Sequence, residues 1–337
     1  LVLFLLSEGL DKEEGDPSQL KRIDLFGILT MAVGMGCLEV MLEEGARDDW
    51  FDAEYIRWLA LVSASCLFLF ARKQLASEHP LVNLRLFKSR DFTLACISYF
   101  VLGAALFGSV YLVPLYLASV QDYTALDIGL VLMWVGFPQL PFFPLIPRML
   151  KYIDAKYLVA FGFLVVGGSM FMNIHMTTNY TGAYLIPALL IRAIGQPFII
   201  VPLSILSSQN LDPKEVPSAS TLYNVMRNLG GAVGIAMLAT TLEYRTDVHL
   251  ADLQQRIVMG SQNAMEYLRQ LGDVLQAGGG NADQSVGVLM TELHKQAMVM
   301  SYNEAFFGLG IALLLASLVS LSIRPAIKSN NAEAPVH

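Results

Sequence analysis

Eight predominantly apolar runs punctuate the chain, at residues 24–42, 55–71, 92–117, 128–147, 157–176, 183–206, 219–242 and 298–323. Their length constrains the fold more than any other feature. A helix needs roughly 20 mainly apolar residues to cross a bilayer, so each run predicts one transmembrane helix. Composition agrees: 55% of residues are hydrophobic and 15% charged, and the mean hydropathy is +0.52. That exceeds what one soluble core requires. The expected fold class is all-α, a polytopic membrane protein embedded in a lipid bilayer. Tyr55 and Trp58, at the outer end of the second run, have the amphipathic rings expected of interface anchors.

Basic residues orient the spans. If Leu1 to Leu6 leave the bilayer on the cytoplasmic side, the connections there hold Lys12, Lys21, Arg22, Arg72, Lys73, Arg85, Lys88, Arg90, Arg148, Lys151, Lys156, Lys214, Arg324 and Lys328. The short outer loops hold Arg47 and Arg57 alone. Positive charge collects on the cytoplasmic face, so the tail 324–337 is expected inside. Leu1 to Leu6, followed by an acidic stretch, is too short for a signal peptide. It reads as the end of a further span, which makes the chain a fragment.

The organisation is two plus six. Residues 1–23 form the end of a span and a linker, 24–72 a transmembrane hairpin, 73–91 a cytoplasmic connector, and 92–323 a six-span unit. Many transporters are built from six-span halves, and the leading hairpin suggests a pair inserted between two of them. Within the six-span unit, residues 243–297 form a long outer loop. Leu250, Leu253, Ile257, Met265, Leu268, Leu271 and Leu275 are helically spaced, Gly278 to Asn281 makes a turn, and a second amphipathic stretch covers 286–298. A helical hairpin lying on the outer face is expected, either as a solvated cap or as a docking surface for a partner protein.

Several function classes find no support. Cys37, Cys66 and Cys96 all lie in spans without a pairing or ligand motif, and the five histidines are scattered singly. Neither a metal site nor a nucleophile–base constellation can be assembled from them, and no cofactor is implied. The net charge of -7, with no basic stripe, argues against nucleic acid as a partner.

The order of several short motifs is familiar. Lys21-Arg22-Ile23-Asp24 opens a span, Met41-Leu42-Glu43-Glu44-Gly45 leads to Asp49-Trp50-Phe51, and Pro80-Leu81-Val82-Asn83-Leu84 leads to Leu86-Phe87 and Arg90-Asp91-Phe92. Gly195 with Pro202 follows, then Asn224-Val225-Met226-Arg227-Asn228-Leu229-Gly230-Gly231 with Gly234, then Ser301-Tyr302-Asn303-Glu304-Ala305-Phe306. Together they resemble the fourteen-span EmrB/QacA-type drug:proton antiporters of the major facilitator superfamily, over nearly the whole chain. The resemblance implies an inserted hairpin at 24–71, a C-terminal six-helix half at 92–323, and about five and a half further spans upstream with proton-carrying acids of their own. It also implies a plasma (inner) membrane location, lipophilic small-molecule substrates, coupling to protons, and a periplasmic membrane-fusion protein as a further partner. A siderophore, fatty acid or other metabolite as substrate, or a receptor or assembly role without transport, are the alternatives.

Within that frame, certain residues are candidates for chemistry. Arg192 lies roughly 13 Å into its span, where a charge is costly and usually faces a watery cavity or the bundle interior. The bland alternative is an arginine bonded to nearby carbonyls. Gln196, one turn on, extends the polar patch beside Pro197. Asn224, Arg227 and Asn228 share one helical face and suit a cytoplasmic gate, although Arg227 is also placed to snorkel to the interface. Tyr99 and Tyr111 offer rings for lipophilic cations or simply pack. Pro138, Pro141, Pro144 and Pro147 exclude a regular helix, and unsatisfied carbonyls there call for a buried or cavity-lining segment, with Trp134 and Gln139 as cavity candidates. Thr124 and Asp127 form an expected helix cap. Glu39, about 22 Å along its span from Asp24, is the candidate for proton coupling.

Overall fold

The computed structural model describes residues 24–77, 80–209, 211–212, 215–258 and 282–324. The apolar stub and linker at 1–23, the turn at 278–281 and the tail beyond Arg324 lie outside the described residues, as do Met265, Leu268, Leu271 and Leu275. Helices α1 (Leu25–Gly45) and α2 (Glu54–Ala76) come first, joined through a short 3-10 turn at Trp50–Asp52. After a 3-10 segment at Leu84–Lys88 follow α3 (Arg90–Ser119), α4 (Ala125–Gly136), a 3-10 stretch at Phe137–Phe142 and the single turn α5 (Ile146–Met149). Helices α6 (Ala155–Phe171), α7 (Gly182–Ser208), α8 (Val216–Val258) and α9 (Ala282–Leu321) complete the described structure. Among the described residues, seven helical segments are long and apolar enough to cross a membrane, and α6, at 17 residues, is a shorter apolar helix.

That shortening corrects the expected span 157–176. The side-chain amide of Asn303 in α9 donates to the Met176 carbonyl and accepts from the Met176 amide, each at 3.0 Å. α6 stops at Phe171, a turn follows in which the Asn173 amide donates to the Met170 carbonyl at 3.0 Å, and Asn303 holds both backbone groups of Met176 beyond it.

The six longer helices from α3 onward, all but the single turn α5, pack around one apolar core that includes Leu112, Tyr116, Phe163, Leu185, Leu203 and Leu313. α3 lies against α8 and α9, α6 against α7 and α9, and α4 against α7. The α3–α8 crossing is close because glycine sits on both sides of it. A Cβ on Gly230 would stand 2.0 Å from the Phe100 carbonyl oxygen, and one on Gly103 would stand 1.9 Å from that of Arg227. Backbone-to-backbone contact of this kind is how membrane helices gain packing where no hydrophobic effect drives them together.

α1 and α2 form an antiparallel hairpin beside this unit, with Ser63 donating to the Gly34 carbonyl at 2.8 Å. α1 rests on α8, and the hairpin is tied to the six-helix unit at both ends. At one end the Trp50 indole N–H donates to the Thr240 hydroxyl at 3.1 Å. At the other, Asp24 caps α1 by accepting from the Gly27 amide at 2.8 Å and receives both Lys73 and Gln74 from α2. Gln74 in turn accepts from the Val82 amide at 3.3 Å, and Asn83 donates to Glu215 at 3.1 Å just before α8. We call this second end the basic end, since Arg72, Lys73, Arg85, Lys88, Arg90 and Arg324 gather there.

Two further expectations need correction. Residues 128–147 are interrupted as the prolines require, but among the described residues their burial is local: 6% of the segment Ala125–Phe142 is enclosed, while Ile146 past it is fully buried against Leu158 and Phe198. Past the interruption the chain turns in 3-10 fashion, with the Leu145 amide donating to the Phe142 carbonyl at 3.0 Å. Residues 243–258 and 282–297 do not form a separate hairpin lying on the outer face. They continue α8 and α9 without a break, because neither glycine nor proline interrupts Leu242 to Val258. At about 1.5 Å per residue, the 43 residues of α8 run roughly 65 Å, about twice the hydrocarbon thickness. The expected Thr124–Asp127 capping box opens α4.

Candidate functional site

Four cavities border α8, and the residues singled out in the sequence divide among them and the sealed core. At the basic end, between α3, α7 and α8, a cavity of about 350 Å³ is lined by Tyr99, Ser204, Ser207, Tyr223, Asn224 and Arg227, among others. The Tyr99 ring stacks on Tyr223, with centroids 4.9 Å apart and planes inclined by 22°. Tyr223 is anchored by its hydroxyl, which donates to the Ser207 carbonyl at 2.8 Å. Asn224 is exposed there and donates to the Ser220 carbonyl at 3.0 Å, one turn back.

Asn228 is not part of that cavity. It follows Arg227 by one residue, a rotation of about 100° on a helix, and this turns it toward α1. There it lines two adjoining cavities of about 460 and 490 Å³, both shared with Glu39, Leu42 and Ala232. The second also reaches Phe107 and Tyr111 of α3. Tyr111 continues into a small pocket of about 240 Å³ with Glu243, Asp247, His294 and Tyr302. The three polar residues of the 224–228 motif therefore face two different spaces.

Arg192 and Gln196 line none of these cavities. Both are buried in α7. The Arg192 guanidinium donates through Nη2 to the Leu106 carbonyl of α3 at 3.3 Å, and its Nε has no hydrogen-bond partner. Gly195 between them lies against Val165 and Val166 of α6. The Leu106 carbonyl also receives the Ser109 hydroxyl at 3.1 Å. Trp134 is exposed and Gln139 half-buried on the outer side of α4 and the 3-10 stretch after it, away from all four cavities. From the 3-10 stretch the Phe142 ring lies 6.4 Å from Phe198 of α7.

Two features escaped the sequence reading. Tyr223 had been hidden beside the polar motif it precedes, although a tyrosine next to Asn224 and four residues from Arg227 was the available signal. The Met31, Met35 and Leu38 face of α1, spaced around Glu39, was the other. On α8 and α9, Arg245 makes a two-pronged ion pair with Glu304, and His249 Nε2 lies 3.1 Å from the same carboxylate. This trio holds the two long helices in register where they leave the packed bundle.

Long apolar helices, glycine-tight crossings and cavities along α8 define a multi-pass membrane protein built on a six-helix bundle with an attached hairpin. The chain belongs to the Major Facilitator Superfamily, whose family model matches residues 21–235. Among curated proteins it is similar to the "Colistin resistance protein EmrB" of Acinetobacter baumannii, with 29% identity over 95% of this chain and 63% of the relative. The "Multidrug export protein EmrB" of Escherichia coli K12 is 29% identical over 90% of this chain and 59% of its own length. The "Fatty acid resistance protein FarB" of Neisseria gonorrhoeae is 27% identical, again over 90% and 59%. The chain thus spans about three-fifths of the length of these curated relatives. The family is one of membrane transporters and not of enzymes, and the EmrB-type likeness expected from the motifs holds over most of the chain.

Proposed function

We propose that the protein works in the efflux of lipophilic or cationic compounds across the plasma (inner) membrane by antiport against protons. The observation that carries this reading is the cavity at the basic end, where the stacked Tyr99–Tyr223 pair meets Asn224 and Arg227 between α3, α7 and α8. Aromatic faces attract flat and cationic molecules, and a few polar groups give orientation. The concentration of lysine and arginine at that end supports its facing the cytoplasm, with the C-terminus on the same side. The cavity is then an entry point for cytoplasmic substrate, with Asn224 and Arg227 as its gate and Asn228 as a gate to the neighbouring trough. Tyr111, Arg192 and Gln196 belong to the path in other conformations of the carrier, as Trp134 and Gln139 do on the face of α4. Glu39 is the acid available for proton coupling.

The projecting α8–α9 pair, on the opposite side from the basic end, supports a seat for a periplasmic membrane-fusion protein. Its length beyond the bilayer is hard to explain by connection alone, because a short loop would join two spans.

A second reading, export of lipophilic acids, is favoured by one observation. Arg192 is a buried cation whose Nε lacks an acceptor, and a substrate carboxylate would supply one.

Efflux decides between these. In cells lacking other pumps, the protein is expected to lower ethidium accumulation, and a protonophore is expected to abolish the effect. Arg192→Ala at normal membrane abundance should lose it; unchanged efflux removes Arg192 from the path. Selective protection against long-chain fatty acids without ethidium efflux would favour the second reading.

A further inference from the structure

The connector that follows the hairpin reaches the basic-end cavity from behind. Where it leaves α2, the Val82 amide donates to Gln74 at 3.3 Å, and Arg85 Nη2 donates to the Leu75 carbonyl in the last turn of α2 at 2.9 Å. At its far end the Thr93 hydroxyl of α3 donates to the Phe87 carbonyl at 2.9 Å. The connector packs on α2 and α3. Between these anchorages Asn83 donates to Glu215 Oε1 at 3.1 Å, which is the hydrogen bond the connector makes toward α8 among the described residues.

Glu215 is the residue on which α8 starts. Its carbonyl accepts a helical bond from the Ala219 amide at 3.0 Å, so a hold on its side chain is a hold on the first turn. Val216, Ala219 and Ser220 form the rim of the cavity on the α8 side, with Ser204, Ser207 and Ser208 on the α7 side. The rim is also pinned at its inner end. There the Tyr223 hydroxyl donates to the Ser207 carbonyl, and the Tyr223 ring packs on Phe92 with centroids 5.0 Å apart. Phe92 in turn meets Phe87 of the connector edge-on at 5.3 Å. The two pins differ in kind. Tyr223 is buried and its bond is shielded from water, whereas Asn83 and Glu215 are half-buried, where water competes for both partners. Eight residues separate Glu215 from Tyr223, roughly 12 Å of helix, so the rim is a short lever with a fixed inner end and a releasable outer one.

We infer that Asn83 and Glu215 form a latch on this rim. With the bond made, the connector holds the start of α8 at the mouth of the cavity; with it broken, Val216 to Ser220 can move off and widen access from the basic end. The hairpin thereby acts on the cavity without lining it, because α2, the connector and the rim are joined in series through Gln74, Arg85 and Asn83. The latch regulates the same cavity that carries the efflux reading, and it rests on that reading only for what the widened mouth admits.

The test is the rate at which a bulky, membrane-impermeant maleimide labels Ser207→Cys in the purified protein in nanodiscs, with Cys37, Cys66 and Cys96 replaced by alanine. Ser207 lines the cavity at 8% exposure, so labelling with the latch intact is expected to be slow. Asn83→Asp is the discriminating variant. It keeps the side-chain oxygen that accepts from the Arg85 amide at 3.2 Å and caps the 3-10 segment, but it sets a like charge against Glu215 in place of the donor. Labelling should rise about fivefold or more, in proportion to the open population. Glu215→Ala, which leaves the connector's own bonds intact, should raise it by at least about twofold. Asn83→Asp combined with Glu215→Lys restores attraction across the contact and should bring the rate back to within about twofold of the starting protein. Labelling indifferent to both single variants overturns the inference. So does a rise that the swapped pair leaves in place, which would mark Asn83 as a prop for the fold. Latch-dependent labelling in a protein that exports nothing would leave the inference standing and remove the efflux reading; efflux with labelling that ignores both variants would do the reverse.

Discussion

Arg192 of α7 donates to the Leu106 carbonyl of α3 across 3.3 Å while its Nε points at no acceptor. A guanidinium sealed in the bundle with a single weak backbone partner is a poor stabilising element, since its desolvation outweighs one hydrogen bond. Arg192→Leu is therefore expected to leave the thermal unfolding midpoint in detergent unchanged or to raise it. Efflux by the same variant should fall about tenfold or more. A large drop in stability with transport retained per folded molecule would make Arg192 a structural brace.

The α3–α8 crossing predicts a contrast among glycines. Gly230→Ala drives a Cβ against the Phe100 carbonyl, and rigid backbone cannot yield as a side chain would. A destabilisation of about 1–3 kcal/mol is expected. Gly308→Ala in α9, with nothing within 4 Å of its Cβ position, should be neutral or stabilising by up to about 1 kcal/mol through helix propensity. Thermal-shift measurements on the two variants check both signs.

Asn303→Ala removes both partners of the Met176 backbone. Met176 is buried, at 3% exposure, so water replaces those bonds poorly. The expected cost is roughly 1–3 kcal/mol for each orphaned group, and amide exchange should rise selectively in the segment 172–181.

At the basic end, the Lys73 ammonium and then the Gly27 amide hold the Asp24 carboxyl below its ordinary pKa of 3.8. A lowered pKa in the folded state means that the charged form stabilises the fold. The contribution is full at neutral pH and above, and it disappears as pH falls through the carboxylate range. Asp24 is partly solvated, so the effect is modest. Protection of the first turn of α1, corrected for intrinsic exchange, should drop on acidification in the parent protein. In Asp24→Asn it should be lower at neutral pH and nearly independent of acid.

Much of this arrangement was legible in the sequence, for a physical reason: apolar run length is dictated by the bilayer, so the hairpin at 24–72 and most later spans could be counted directly. The cap at Thr124 and Asp127 is a local interaction and was equally readable. What failed depended on contacts distant in sequence. The segment that follows α6 is held by Asn303, more than a hundred residues away. The four prolines of 138–147 signalled an interrupted helix, but how much of it is covered depends on its packing against α7, which is distant in sequence. Grouping Asn224, Arg227 and Asn228 on one face was sound helical geometry. It could not show that a boundary between two cavities passes between Arg227 and Asn228, because that depends on where α1 lies against α8. The same holds for Arg192: its depth was evident, its isolation from all four cavities was not.

The central claim, efflux driven by protons, is tested most directly in proteoliposomes holding the purified protein and no other carrier. An imposed pH gradient, with no ATP and no sodium, should drive tetraphenylphosphonium against its own gradient, and adding the substrate should in turn dissipate the pH gradient. Movement of substrate that ignores the proton gradient, or a proton gradient that substrate leaves untouched, would contradict the account.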